Sequence, residues 1–140
     1  SRSTIEGVDT MSDNLFLAAR EAMAMAYAPY SRFPVGAALR TKDGRIFSGA
    51  NIEVASFPEG WCAETTALGH YVMGGGGPIA EIAVVAEKMD RITPCGGCRQ
   101  RLAEFAAPDT LVHLCDQTGI VQTLTMTELL PLGFAGDTLK

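Results

Sequence analysis

Nothing in the chain approaches the roughly 20 consecutive apolar residues that a membrane-spanning helix needs, and the polar opening segment lacks the apolar stretch of a secretory leader. Positive charge is also scarce. Lys and Arg number 11 against 16 Asp and Glu, the net charge is −5, and the densest basic patch is Arg99 with Arg101. A nucleic-acid surface calls for a basic stripe to neutralise phosphates, so the charge argues against such a partner, and the missing apolar run argues against a membrane. There are only two histidines, His70 and His113, and neither stands at metal-ligand spacing from the cysteines. Four cysteines at uneven intervals without a leader fit a reducing cytoplasm and metal binding better than disulfides. At 140 residues there is room for one core. Residues 1–10 precede Met11 and read as a tag or disordered tail, and 11–140 as a single domain.

What is present is concentrated in two short stretches. Cys62-Ala63-Glu64 and Pro94-Cys95-Gly96-Gly97-Cys98 hold three of the four cysteines. The C-x-x-C spacing of Cys95 and Cys98 lets two thiolates reach one ion from a single turn, and Cys62 supplies a third. Three protein ligands with an open fourth position is the catalytic form of a zinc site, whereas four ligands is the structural form. Glu64, two residues past Cys62, can sit beside the metal without binding it and move a proton from an activated water. A redox C-x-x-C is the competing reading, but it leaves the Cys62–Glu64 pair without a purpose. Cys115 has no C-x-x-C partner and reads as a buried spectator.

The remaining sequence predicts alternating elements. Ser12 or Asp13 can cap a helix whose apolar positions run from Leu15 to Ala26 and which ends at Ala28-Pro29. Val35 to Arg40 and Ile46 to Asn51 read as a hairpin around Asp43-Gly44, a pair suited to a type I′ turn. Gly36 suggests a close backbone approach. Asn51 and Glu53 share a face at the second strand's far end. Helix is expected from Cys62 to Met73, and Gly74 to Pro78 reads as a flexible connector. Ile79 to Ala86 looks like a buried central strand, Cys95 to Ala106 a helix, Thr110 to Cys115 and Ile120 to Leu124 strands, and Thr127 to Leu130 a short helix. Strands interleaved with helices give an α/β layered domain with a mixed sheet. Both cysteine segments would open helices, whose N-terminal partial charge favours thiolate.

These residues together resemble the small, homo-oligomeric, three-cysteine cytidine deaminases. The pieces that carry the likeness are Ala28-Pro29-Tyr30-Ser31-Arg32-Phe33, Val35-Gly36-Ala37-Ala38, Asn51-Ile52-Glu53, Cys62-Ala63-Glu64, Pro94-Cys95-Gly96-Gly97-Cys98-Arg99-Gln100, and Leu129-Leu130-Pro131 with Phe134. They span about Phe16 to Leu139. The metal arrangement is a known pattern of nucleobase deaminases, with Cys62 in place of the commoner His. The resemblance implies a three-layer α/β/α cytidine deaminase-like fold with a central mixed five-stranded sheet, and a cytoplasmic homotetramer with one zinc ion per subunit. It implies that Cys62, Cys95 and Cys98 hold zinc and that Glu64 shuttles protons. Asn51 and Glu53 would hold the ribose hydroxyls, Phe33 and the Ala63 backbone would meet the base, and Phe134 would reach a neighbouring subunit's site. The implied reaction converts cytidine and deoxycytidine to uridine and deoxyuridine with loss of ammonia, in pyrimidine salvage. A carboxylate at the ribose would repel a phosphate, which favours free nucleosides. The runner-up is a deaminase of another cytosine-bearing small molecule such as blasticidin S, and the non-enzyme alternative is a structural zinc module with Cys115 or a histidine as fourth ligand. Relatives commonly carry Arg directly after the glutamate. Here Thr65 stands there, a change expected to tune rate and metal retention without abolishing activity, with Arg99 or the helix N-termini compensating.

Overall fold

The computed structural model describes residues 6–55, 60–86 and 96–129, excluding the side chains of 6–11 and 96–99. Cys95, Phe134, most of the Phe57–Trp61 loop and the Cys98 side chain therefore lie outside the described residues.

Helix α1 (Glu6–Met23) buries Leu15, Phe16, Ala19 and Met23, the i, i+4 stripe that helical spacing demands. It begins earlier than expected, so Ser12 and Asp13 lie inside the helix instead of capping it. It also stops before Ala28, because the amides of Ala24, Met25 and Ala26 each turn back three residues to Glu21, Ala22 and Met23, a tightened last turn that satisfies the end of the helix.

Strands β1 (Val35–Thr41) and β2 (Ile46–Ala50) form the expected hairpin with a different turn. A type I′ turn needs positive φ at both central residues, yet among the described residues only Arg32 is a non-glycine with positive φ. The loop is instead three residues long. Gly44 N donates to Thr41 O, Gly44 takes φ 98°, and Thr41 N donates to Arg45 O. The Thr41 hydroxyl and Arg45 Nε both donate to the Asp43 carboxylate, which fixes the loop.

Helix α2 (Ala63–Met73), strand β3 (Ile79–Ala86), helix α3 (Gly96–Phe105), strands β4 (Leu111–Asp116) and β5 (Gly119–Thr125), and the short helix α4 (Met126–Leu129) complete the order. Five strands form one sheet in the order β2-β1-β3-β4-β5. Only β3 and β4 run parallel; the other neighbours are antiparallel. β3 is therefore central and buried, as its apolar run predicts.

The pleat sends alternate residues to opposite faces. Ala38, Ala83, Val85 and Cys115 pack with α1. Ala37, Leu39, Ile82, Val84 and Leu114 pack with α2, α3 and α4. This is the expected three-layer architecture around a mixed five-stranded sheet. Glycines let the helices come close on both faces. A Cβ on Gly36 would lie 2.0 Å from Ala19 O of α1, and one on Gly49 would lie 2.5 Å from Ala67 N of α2.

The run after α2 is not the flexible connector expected. Gly75, Gly76 and Gly77 all have positive φ, which suits glycine. Their neighbourhood is pinned by Arg45, whose guanidinium donates to Gly74 O and Gly76 O, and by the Tyr71 hydroxyl on Gly77 O. Tyr71 also stands edge-on between Phe47 of β2 and Phe105 of α3, with ring centroids 6.0 and 5.8 Å away, and so fixes α3 against α2.

Candidate active site

Cys62 is the N-cap residue of α2, with extended backbone and a partly exposed thiol outside any disulfide. Glu64 follows in the first turn and is 5% exposed. The segment is held by its backbone: Trp61 N and O exchange 2.8 Å hydrogen bonds with Ile52. Thr66 then donates its hydroxyl to Ala50 O at 3.0 Å. Cys62 is thus fixed beside the strand end that carries Asn51 and Glu53. Ala63 is buried, 1% exposed.

Asn51 and Glu53 are already engaged with the loop that carries Phe33. Asn51 Oδ1 accepts from Val35 N at 3.0 Å and Nδ2 donates to Phe33 O at 3.1 Å. The Glu53 carboxylate accepts from the amides of Tyr30 and Ser31, both at 3.1 Å, and from the Ser31 hydroxyl. The Ser31 hydroxyl first, then the Ser31 and Tyr30 amides, hold the Glu53 carboxyl below the ordinary carboxylate range. Tyr27 completes the frame, its amide donating to Asn51 O and its carbonyl accepting from Glu53 N. Arg32 adopts φ 56° to close this loop. Phe33 packs half-buried against the α2 face of the core. Ser31 is a residue that spacing arguments miss. Its signal in the sequence is a hydroxyl within a tight Pro-Tyr-Ser turn, which gains meaning only once Glu53 is known to face it.

Among the described residues, no group of three or more His, Cys, Asp and Glu side chains could hold a metal; two of the three expected ligands fall outside that set. The described donors still test the alternatives. A half-exposed thiol at a helix N-terminus beside a buried carboxylate suits a catalytic zinc ligand. Cys115, the expected candidate for a fourth ligand, is fully buried among residues that pack with α1, on the face of the sheet away from α2. Burial pushes its thiol up to about 12, the opposite of what metal binding needs. His113 is committed at both ring nitrogens, to Glu81 at 2.6 Å and to Thr123 at 2.8 Å. His70 lies in the last turn of α2 with Nδ1 2.8 Å from Ser48 O. None of the three stands with Cys62.

Between α2 and α3 runs a groove of about 600 Å³ that includes Trp61, Thr65, Val72, Met73 and Phe105. Arg101 crosses it: Nη1 donates to Thr65 Oγ1 at 3.2 Å. The Arg99 side chain, expected near the thiolates, lies outside the described residues; the described contact to Thr65 comes from Arg101.

Comparison with known proteins agrees with this geometry. The cytidine deaminase of Halalkalibacterium halodurans is 47% identical over 115 residues, 82% of this chain and 87% of its own. The crystal structure of cytidine deaminase from Burkholderia pseudomallei superposes with a TM-score of 0.82 at 45% identity, covering 87% of this chain and 98% of that one. A blasticidin-S deaminase from Bacillus cereus matches more weakly, 35% identical over 124 residues, 83% of this chain and 86% of its own. The family model described as the cytidine and deoxycytidylate deaminase zinc-binding region matches residues 10–114. The N-cap cysteine, the buried glutamate behind it and these likenesses converge, and the chain belongs to the cytidine and deoxycytidylate deaminase family.

Proposed function

We propose that this protein hydrolyses cytidine and deoxycytidine to uridine and deoxyuridine with release of ammonia, as a zinc enzyme of pyrimidine salvage. The observation that carries the reading is Glu64, buried two residues behind the N-cap thiol of Cys62, while the fourth cysteine lies on the other face of the sheet. That combination suits a three-ligand site with a proton-moving carboxylate and not a closed structural module.

In this reading Cys62, Cys95 and Cys98 hold one zinc ion per subunit, which supplies an activated water when bound. Glu64 takes a proton from that water and delivers it to N3 of the cytosine ring, which makes C4 electrophilic. After the water oxygen adds at C4, Glu64 takes the remaining proton from that oxygen and gives it to the amine, so the C4–N bond breaks, ammonia leaves and the C4 carbonyl of uridine forms. Burial of Glu64 shields the proton transfers from bulk solvent. Phe33 lines the base pocket, the Ala63 backbone meets the base, and Asn51 and Glu53 hold the ribose. Glu53 is already an acceptor for Ser31, so a sugar hydroxyl would share an acidic group that disfavours a nearby phosphate.

The exposed apolar groove, with Trp61 54%, Val72 50% and Met73 88% exposed, is the kind of surface a second copy covers. It supports assembly into a homotetramer, in which Phe134 completes a neighbouring site. Absence of a long apolar helix among the described residues and the acidic balance fit a cytoplasmic protein acting on small molecules.

The test is an absorbance assay of cytidine, deoxycytidine and blasticidin S with the zinc-loaded protein, before and after a chelator. Cytidine and deoxycytidine should turn over, and the activity should vanish with chelator and return with zinc. Turnover of blasticidin S alone would favour the weaker likeness. A zinc-loaded protein inert toward all three would refute a deaminase.

A further inference from the structure

Arg101 ties together the two helices that carry the cysteines. Its Nη1 on α3 donates to Thr65 Oγ1 on α2 at 3.2 Å. Thr65 stands three residues beyond Cys62, and Arg101 three beyond Cys98, so the guanidinium spans the two helices about one turn in from each cysteine. It lines the α2–α3 groove with Trp61 and Thr65, and the acid next to it on α3 is Glu104, one turn farther from the cysteines. Tyr71, packed edge-on against Phe105, fixes the spacing that this bridge needs.

We propose that Arg101 is the cation that offsets the negative charge of the loaded site, from α3, where Thr65 on α2 supplies only a hydroxyl to seat it. The inference rests on the zinc reading above. Zinc binding releases the protons of its thiol ligands, and three thiolates around the divalent ion then leave one net negative charge. A fixed cation nearby therefore favours the loaded state over the emptied one. Arginine suits the task because it is always charged and its planar fork can keep one arm on Thr65 while presenting the others elsewhere. Arg101 is a charge-balancing and positioning residue. It is not assigned a contact with the reacting atoms.

The test is zinc affinity of the full chain, measured by competition with a chromophoric chelator at fixed pH, with the melting temperature of the zinc-loaded protein as fold control. R101Q should weaken zinc binding about 10-fold, the lower end of the effect of residues that support metal ligands, and R101K should stay close to wild type. The R101Q loss should shrink at high salt, as a charge effect does. Adding T65R to R101Q should restore most of the affinity, because it returns a cation to the same junction. Unchanged affinity in R101Q would overturn the proposal, as would R101K falling as far as R101Q, or a loss indifferent to salt. Should R101Q not fold, R101K and the T65R/R101Q pair still decide: zinc held by both supports the role, and zinc lost from both overturns it. A wild-type chain without zinc would refute the zinc reading itself; a zinc-loaded wild type with an equally tight R101Q would remove only the role of Arg101.

Discussion

Ser31 contributes one hydroxyl, yet it is the first cause of the depressed Glu53 carboxyl and it also accepts from Phe33 N at 3.0 Å. Removing it in S31A should loosen both the ribose acceptor and the Phe33 loop. With a hydrogen bond worth about 1 kcal/mol, KM for cytidine should rise about fivefold while kcat changes little; an unchanged KM would separate Glu53 from substrate binding. Cys115 gives the opposite kind of prediction. Its thiol is sealed among residues packed with α1, so C115A should keep full zinc content and turnover, measured by metal analysis and cytidine assay. At this scale the sequence shows the candidate ligands and Glu64, because their chemistry depends on local spacing. Ser31 and Arg101 are hidden in it, because their meaning comes from partners 22 and 36 residues away.

The elements follow from patterns that a linear reading can see: the alternation of β1, the apolar run of β3, the helical stripe of α1. Where the reading differs, a local signal had two uses. Ser12 resembles an N-cap, but its hydroxyl donates to Glu81 Oε1 at 2.8 Å from within α1. Asp43-Gly44 fits a two-residue turn, but here it builds a three-residue loop in which only Gly44 needs positive φ. The glycine run looks flexible until Arg45 and Tyr71 are seen to hold its carbonyls. Gly49 matters most for the site, because the helix it admits has Cys62 at its N-cap and Glu64 in its first turn. In G49A the new methyl would meet Ala67 N at 2.5 Å and Ala63 O at 2.9 Å. Overpacking of this kind costs about 1–3 kcal/mol, so the melting temperature should fall and turnover with it. A variant of wild-type stability would mean that α2 can shift freely, and the site geometry with it.

Across the whole molecule, a buried polar network lies on the α1 side of the sheet and joins four elements. Glu81 of β3 meets His113 of β4, Arg40 of β1 and Ser12 of α1, and its side chain is 8% exposed. The His113 hydrogen bond first, with Arg40 and Ser12, holds the Glu81 carboxyl down to about 2 against an ordinary 4.5, despite burial. A carboxyl depressed on folding stabilises above its unfolded value and loses that contribution as pH falls through the folded one. The window is therefore about 4.5 down to about 2, and the contribution is about 3 kcal/mol at ~1.4 kcal/mol per unit. Denaturant titrations of wild type should lose stability steeply across that window, and E81Q should be less stable at pH 7 with a shallower slope. Equal slopes would remove Glu81 from the acid response.

The central claim is that Glu64 moves the protons at a three-cysteine zinc site, and one substitution tests it most directly. E64Q should fold, retain zinc in the wild-type ratio and lose cytidine turnover by about 10²–10⁴-fold or more, as expected for removal of a proton shuttle. A zinc-loaded E64Q that deaminates cytidine at the wild-type rate would contradict the account.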